Sequence, residues 1–388
     1  MNYFEKSERV IYADNAATTK ISDIAFEKML PFLREQYGNA SSQYILGSKA
    51  KLAVENARQQ VATFIGAETS EITFTSGGSE ANTWVLRGIS DLYDNKIIHI
   101  ITSSIEHHSV LNACHALENK GIEVSYLPVD RKGRVSLVDV KKAIKPNTKL
   151  VSIMLVNNEI GTVQPVAEIG CYLYKKGILF HTDAVQAVGH IPVNVNELQV
   201  DFLSASAHKF NGAKGTGFLY KRLGLNLPAM IFGGEQEHGS RAGTENVAGI
   251  VALGYALEES VAEMQNTATR LKTMVDNTVR GIQKVIPSVR INGDEENRLP
   301  GTVNLRFDGV SGDSLTNILD MKGVCVSTSS ACNSGKDVSS HVLFALGLSE
   351  EQARSAIRIS YGKYNTFEEV EYVVSAICDV YNKIKSAI

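Results

Sequence analysis

Long apolar runs are missing from this chain: the longest stretches, such as 153–156, span a few residues, where a membrane-crossing helix needs roughly 18. Insertion into a bilayer is thereby excluded as an expectation. A dominant charge is missing too, since Lys+Arg 39 against Asp+Glu 42 leaves a net charge of −3, and no basic field invites direct contact with nucleic acid. No C-x-x-C pair occurs among the five cysteines (Cys114, Cys171, Cys325, Cys332 and Cys378), and their odd number argues against a disulfide framework or a zinc site. The N-terminus interleaves acidic and basic residues without the apolar core of a signal peptide, which points to the cytoplasm, where thiols stay reduced. Repeats, low-complexity tracts and Pro/Gly-rich linkers are likewise lacking.

What is present is 388 residues, 44% of them hydrophobic, enough for two domains with real cores. Apolar runs at 71–75, 96–102, 150–156, 178–182, 201–204 and 217–220 read as strands buried on both faces. Amphipathic segments at 48–65, 79–93 and 109–120 lie between them; in the first, Ala50, Ala53, Ala57, Val61 and Phe64 share a stripe. The pattern predicts an α/β fold with a mostly parallel central sheet flanked by helices. Beyond about position 246 the texture changes to two long helices (248–286), strands at 289–291, 302–307 and 324–327, a helix at 313–321 and a closing helix at 367–384. That is a smaller α+β unit.

Five constellations carry chemistry. Lys209, in Ser206-Ala207-His208-Lys209, follows a buried strand and precedes a glycine-rich turn, a position suited to a Schiff-base lysine; the plain reading against it is a solvated loop lysine. Asp183 ends the strand 26 positions earlier, where a carboxylate points into the ligand crevice of a parallel sheet, unless it merely caps a helix starting near Ala184. Thr75-Ser76-Gly77-Gly78-Ser79-Glu80-Ala81-Asn82 runs from strand through a Gly-Gly-Ser turn into a helix, a cradle for phosphate. It is neither G-x-G-x-x-G nor a Walker loop, so dinucleotides and nucleoside triphosphates are disfavoured. Glu106-His107-His108 sits at another strand-to-helix turn, where one histidine can cap the helix and the other lie against a planar ligand. Cys332, in Ser330-Ala331-Cys332-Asn333-Ser334-Gly335, is expected on a mobile, exposed loop, as a nucleophilic thiolate requires. The remaining four cysteines read as packing residues.

Together these motifs resemble one family: the fold-type I pyridoxal phosphate enzymes of aminotransferase class V, and within them the NifS/IscS-like cysteine desulfurases. The resemblance spans nearly the whole chain, from Tyr12-Ala13-Asp14-Asn15-Ala16-Ala17-Thr18-Thr19 and Gly38-Asn39-Ala40-Ser41-Ser42 through Asn157-Asn158-Glu159-Ile160-Gly161 and His181-Thr182-Asp183-Ala184-Val185-Gln186. It continues in Gly233-Gly234-Glu235-Gln236-Glu237, Arg241-Ala242-Gly243-Thr244-Glu245-Asn246, Ser330-Ala331-Cys332 and Arg358-Ile359-Ser360.

The resemblance implies a large cofactor domain at 15–258 and a small domain from 1–14 and 259–388 that carries the Cys332 loop at about 328–337. It implies that Lys209 holds pyridoxal 5'-phosphate and moves the substrate Cα proton. Asp183 would pair with the pyridinium, Gln186 with the ring hydroxyl, and Asn158 with the same edge of the cofactor and the substrate. His107 would stack on the ring and act as an acid/base. Gly78, Ser79, Ser206 and His208 would hold the phosphate, joined by Thr244 from the second subunit of a homodimer. Arg358 would clamp the carboxylate of L-cysteine, and Cys332 would take its sulfur as a persulfide for a sulfur-acceptor protein, either an iron–sulfur scaffold or a tRNA-thiolation protein. Three departures stand out: Ala40 where the family usually has Pro, Tyr44 where it has His, and Lys336-Asp337-Val338 where relatives often carry Glu-Pro. Selenocysteine lyases share the scaffold and compete with this reading. So, more weakly, do a class V aminotransferase, which has no need of a loop thiol, and a non-catalytic partner in iron–sulfur assembly, which has no need of Lys209 and Asp183.

Overall fold

The computed structural model describes residues 10–93, 98–328 and 340–387. Its largest sheet has seven strands in the order Ile72–Thr75, Gly217–Lys221, Phe202–Ser206, Leu179–Asp183, Thr148–Ser152, His99–Ser103 and Glu123–Leu127. Only Gly217–Lys221 runs against the others. The predicted α/β class holds.

The strands alternate their side chains between two cores, as a period of two requires. Ile101, Val151, Phe180 and Leu203 join a cluster with Val54, Val61 and Ile65 of the helix Ile45–Ile65. Their neighbours Ile100, Leu150, Phe202 and Leu219 join a second cluster with Trp84 and Ile89 of the helix Gly78–Leu92 and Val110 and Cys114 of the helix His108–Glu118. Both faces are thus covered by helices, which leaves the strand ends as the place for a ligand.

A four-stranded antiparallel sheet, ordered Ser327–Thr328, Ala356–Ser360, Thr302–Arg306 and Arg290–Asn292, has its own core with the helices Met264–Val285 and Phe367–Ala387. Ile11–Tyr12 pairs in parallel with Val324–Cys325 beside it. The predicted strand 324–327 is therefore two short ones in different sheets, broken at Val326.

Other sequence readings need correction. Glu123–Leu127 and Ala356–Ser360 are strands that apolar runs do not announce, the first because it is a half-buried sheet edge, the second because Arg358 interrupts it. The helix Asp23–Arg34 also escapes detection because Pro31 lies inside it; Ser22 starts it by accepting the Ala25 N–H. On the helix Ile45–Ile65 the buried stripe runs through Ala50, Val54, Ala57, Val61 and Ile65, with Ala53 and Phe64 only half-buried. Cys114 and Cys378 are packed as expected, but Cys171 is exposed and Cys325 is half-buried. Cys171 occupies the helix Val166–Lys176, whose buried face carries Val166, Ile169, Gly170 and Leu173 instead.

Candidate active site

Five strands end on one edge of the large sheet, and each is followed by a segment bearing chemistry: Ser76–Ser79 after Thr75, Glu106-His107 after Ser103, Asn158 after Ser152, Asp183 itself, and Ser206–Lys209. A cavity of about 570 Å³ opens there, and Gly78, Ser79, His107, Asn158, Asp183, Gln186, Ser206, His208, Lys209 and Arg358 all line it. Cys332 lies outside the described residues. Thr244 is exposed and does not line the cavity of its own chain.

The floor is set by Asp183. One carboxylate oxygen accepts the Val185 N–H at 3.0 Å, and the other accepts Asn82 Nδ2 at 2.6 Å. No helix begins at Ala184, so the capping role reduces to a single turn bond. Lys209 Nζ donates to the Ala16 and Ala17 carbonyl oxygens, each at 2.7 Å, and Gln186 Nε2 donates to Ala16 O at 3.0 Å. Residues 16–18 thus line the cavity, and Ala16 touches both residues.

At the turn Ser76–Gly78 the backbone approaches its neighbours too closely for side chains. A Cβ on Gly78 would sit 2.4 Å from Val185 Cγ2, and one on Gly217 would sit 2.7 Å from Gly77 Cα. Glu80 Oε2 accepts the Ser76 N–H, and Arg241 pairs with the same carboxylate, which fixes the turn from outside. The helix Gly78–Leu92 starts at this turn and leaves N–H groups aimed at the cavity edge. His208 Nδ1 lies 3.0 Å from Thr18 Oγ1, and burial, reinforced by Lys209 and Lys214, pulls its pKa down to about 4. It is neutral and serves as a hydrogen-bonding group rather than a cation.

His107 takes both roles that the sequence divided between two histidines: its Nδ1 accepts the Ser109 N–H as the cap of His108–Glu118, and its ring lines the cavity. His108 turns away to His341, with ring centroids 4.7 Å apart. Burial lowers the His107 pKa; Asp183 opposes this, while Lys209 and His108 add to it.

Arg358 donates to Asp14 Oδ1 at 2.6 Å and to Asn158 O at 2.9 Å, and its buried Nε has no protein partner among the described residues. A guanidinium has five N–H donors, so donors remain for a ligand carboxylate. The turn bearing Asn158 is held by Asn157, whose Oδ1 accepts the N–H groups of Glu159 and Ile160.

Beneath His107 lies Glu106, wholly buried, accepting Ser103 Oγ at 2.6 Å and the Met154 N–H. Burial pushes its pKa up to about 8, against the opposing pull of those donors. A folded-state pKa raised from 4.5 means that the folded chain holds a proton the unfolded chain has released, so this contribution to stability declines as pH rises through that window. Glu106→Gln is therefore expected to gain in Tm over the wild type as the buffer moves from about pH 5 to about pH 8. Thermal melts of both proteins at several pH values check it, and parallel profiles would contradict it.

Sequence reasoning assigned no role to Asn82, Ser109 or Asp14. Asn82 lies one turn inside the helix Gly78–Leu92, where a polar residue on the buried face is the available signal, whereas half-buried Ser109, second in the helix His108–Glu118, carries none, and Asp14 meets Arg358 only through the fold.

The lining residues fit pyridoxal phosphate. A carboxylate in the floor, a primary amine at the mouth, a glycine turn at a helix start and a flanking histidine ring surround one cavity. Residues 11–373 match the aminotransferase class-V family. A cysteine desulfurase IscS of Dictyoglomus turgidum is 47% identical over 379 residues, covering 98% of this chain and 96% of the relative. One from Methanosarcina thermophila is 45% identical over 378 residues, 97% of this chain and 93% of that protein. Among solved structures, a NifS-like protein superposes with a TM-score of 0.91 at 40% identity, covering 96% of this chain and 100% of its own. SspA in complex with cysteine superposes with a TM-score of 0.81 at 37% identity, over 92% and 99% of the two chains.

Proposed function

The chain belongs to the aminotransferase class-V family, and from that membership we propose that it is a pyridoxal phosphate-dependent cysteine desulfurase, converting L-cysteine to L-alanine and passing the sulfur to its own Cys332. The observation that carries this reading is the meeting of Lys209, Asp183, His107 and Arg358 in one cavity of a chain similar to cysteine desulfurases along nearly its whole length.

When bound, the cofactor supplies an electron sink for the bond between the substrate Cα and its hydrogen. Lys209 would hold the cofactor through Nζ and would carry the substrate Cα proton. Asp183, held by Asn82 and the Val185 N–H, would pair with the ring nitrogen and favour its protonated form. Gly78, Ser79, Ser206 and His208 would hold the phosphate, Gln186 and Asn158 would hold the oxygen edge, and His107 would lie against the ring. Arg358 orients the substrate carboxylate through donors that Asp14 and Asn158 leave unused. The sulfur step balances without an external oxidant: the substrate Cβ–S bond breaks, an S–S bond forms on Cys332, and cysteine plus thiol becomes alanine plus persulfide.

Thr244, exposed on its own chain, completes the phosphate site of a second copy, so the working state is a homodimer. The large apolar side chains of Phe26, Leu30 and Leu33, exposed on one side of the helix Asp23–Arg34, support a covered face. The persulfide goes on to an acceptor protein for iron–sulfur cluster assembly or tRNA thiolation. Among the described residues no helix is long and apolar enough to cross a membrane, and a cytoplasmic setting keeps Cys332 reduced.

The test is an absorbance spectrum of the purified protein followed by alanine and sulfide assays with cysteine, and with selenocysteine in parallel. Alanine release from cysteine is expected. A colourless protein that releases none would overturn the reading, and release from selenocysteine alone would make it a selenocysteine lyase. Arg358→Leu is expected to raise KM for cysteine roughly 10- to 100-fold, the value of a charged hydrogen-bonded contact, with Arg358→Lys in between. Steady-state kinetics check this.

A further inference from the structure

A chain of hydrogen bonds behind His107 bears on which of its ring nitrogens carries the proton. Asp183, as a carboxylate, only accepts, so the Asn82 side chain must present its NH2 group to it, at 2.6 Å. The same nitrogen donates its second hydrogen to Ser109 Oγ at 2.9 Å. Ser109 Oγ, one of its two lone pairs engaged by Asn82, lies 2.8 Å from His107 Nδ1, and the Ser109 backbone N–H points at that same Nδ1 from 3.1 Å. A backbone N–H cannot accept, so a proton on Nδ1 would face another proton. Asn82 Oδ1, meanwhile, is buried with no partner among the described residues. An amide that leaves its acceptor unsatisfied while both its hydrogens are used is held in place by this chain and not by its own solvation.

We infer that Asn82 and Ser109 are positioning residues that hold His107 in the tautomer protonated at Nε2, so that it meets substrate as a fixed hydrogen-bond donor. This rests on the reading of His107 as a residue of a cysteine desulfurase site, and it narrows that role. A proton is taken up only at Nδ1, and only by breaking the bonds from Ser109. The charged and titratable groups around the ring are Asp183 on one side, Lys209 on another, and His108 with His341 behind it. Only Asp183 favours the imidazolium, and it is already engaged by Asn82 and the Val185 N–H.

The experiment is a pH titration of the cofactor-loaded protein labelled with nitrogen-15 at histidine, read by long-range proton–nitrogen correlation, with His107 assigned by the signal lost in His107→Gln. In the wild type Nε2 is expected to be protonated and Nδ1 bare at neutral pH. Ser109→Ala removes a bond made to the neutral ring, so the midpoint of His107 should rise by about half to one pH unit, and Ser109→Thr should restore it. Asn82→Ala should move it in the same direction, because Ser109 Oγ loses the donor that holds its hydroxyl toward His107. A wild-type His107 protonated at Nδ1, or an unchanged midpoint in both variants, overturns the inference even if the protein makes alanine. The wild-type spectrum decides by itself should a variant not fold. A protein with the expected tautomer that makes no alanine would instead overturn the functional reading alone.

Discussion

Replacing Lys209 with alanine is expected to lower cysteine-dependent alanine formation by more than about 10³-fold, because in the proposed function this one side chain would both attach the cofactor and move the proton. The geometry makes the loss specific. Lys209 follows directly on the strand Phe202–Ser206, and its Nζ is held by the carbonyls of Ala16 and Ala17 at the mouth of the cavity whose floor is Asp183. No second lysine at that mouth is placed by the same strand; Lys214 lines the cavity on the following exposed turn. The absorbance of covalently held cofactor should vanish with the activity, while the thermal transition stays cooperative, since Lys209 is not a core residue. Lys209→Arg keeps the charge but supplies no nucleophilic amine, and should be equally inactive. Stopped assays for alanine together with a visible spectrum check both variants; retained turnover in either would remove Lys209 from its role.

Cys332→Ala is expected to abolish alanine formation under turnover while leaving the cofactor spectrum of the resting protein intact. The argument is one of atom balance: the sulfur removed from cysteine needs a nucleophile to receive it, and a thiolate in a Ser/Gly-rich segment is suited to both receiving and releasing it. The remaining cysteines are poor substitutes. Cys114 is buried and its thiol is pushed up to about 12 by burial, Cys378 is buried, and Cys325 is raised by burial in the strand Val324–Cys325. Cys171 is exposed, but it sits on the helix Val166–Lys176, no part of which lines the cavity. Mass spectrometry of the protein after brief exposure to cysteine should find the added sulfur on Cys332 and on no other cysteine. Undiminished turnover in Cys332→Ala would sink the assignment.

Much of the site was legible because its parts are local. A buried strand, a turn with glycine or a small polar residue, and a helix start recur at Thr75–Ser79, Ser103–His107 and Ser206–Lys209, and each can be read within ten residues. The links between parts were not legible. Asp14 reaches Arg358 across 344 positions, Asn82 reaches Asp183 across 101, and Gln186 reaches Ala16 across 170. No periodicity carries such pairs. The exposed Cys171 shows a lesser failure of the same kind, because a cysteine in an apolar helix segment looks packed until the helix's buried face is known.

The amino-acid sequence by itself determined the α/β class and the strand-turn-helix units that bring Lys209, Asp183 and His107 forward as candidates, because backbone periodicity and turn chemistry act over a few residues. The tertiary structure alone decided that five strand ends share one edge, that residues 16–18 line the cavity, and that His107 is backed by Ser109, Asn82 and Asp183. These depend on strand order and on buried polar groups finding partners far along the chain, which is settled only when the cores close.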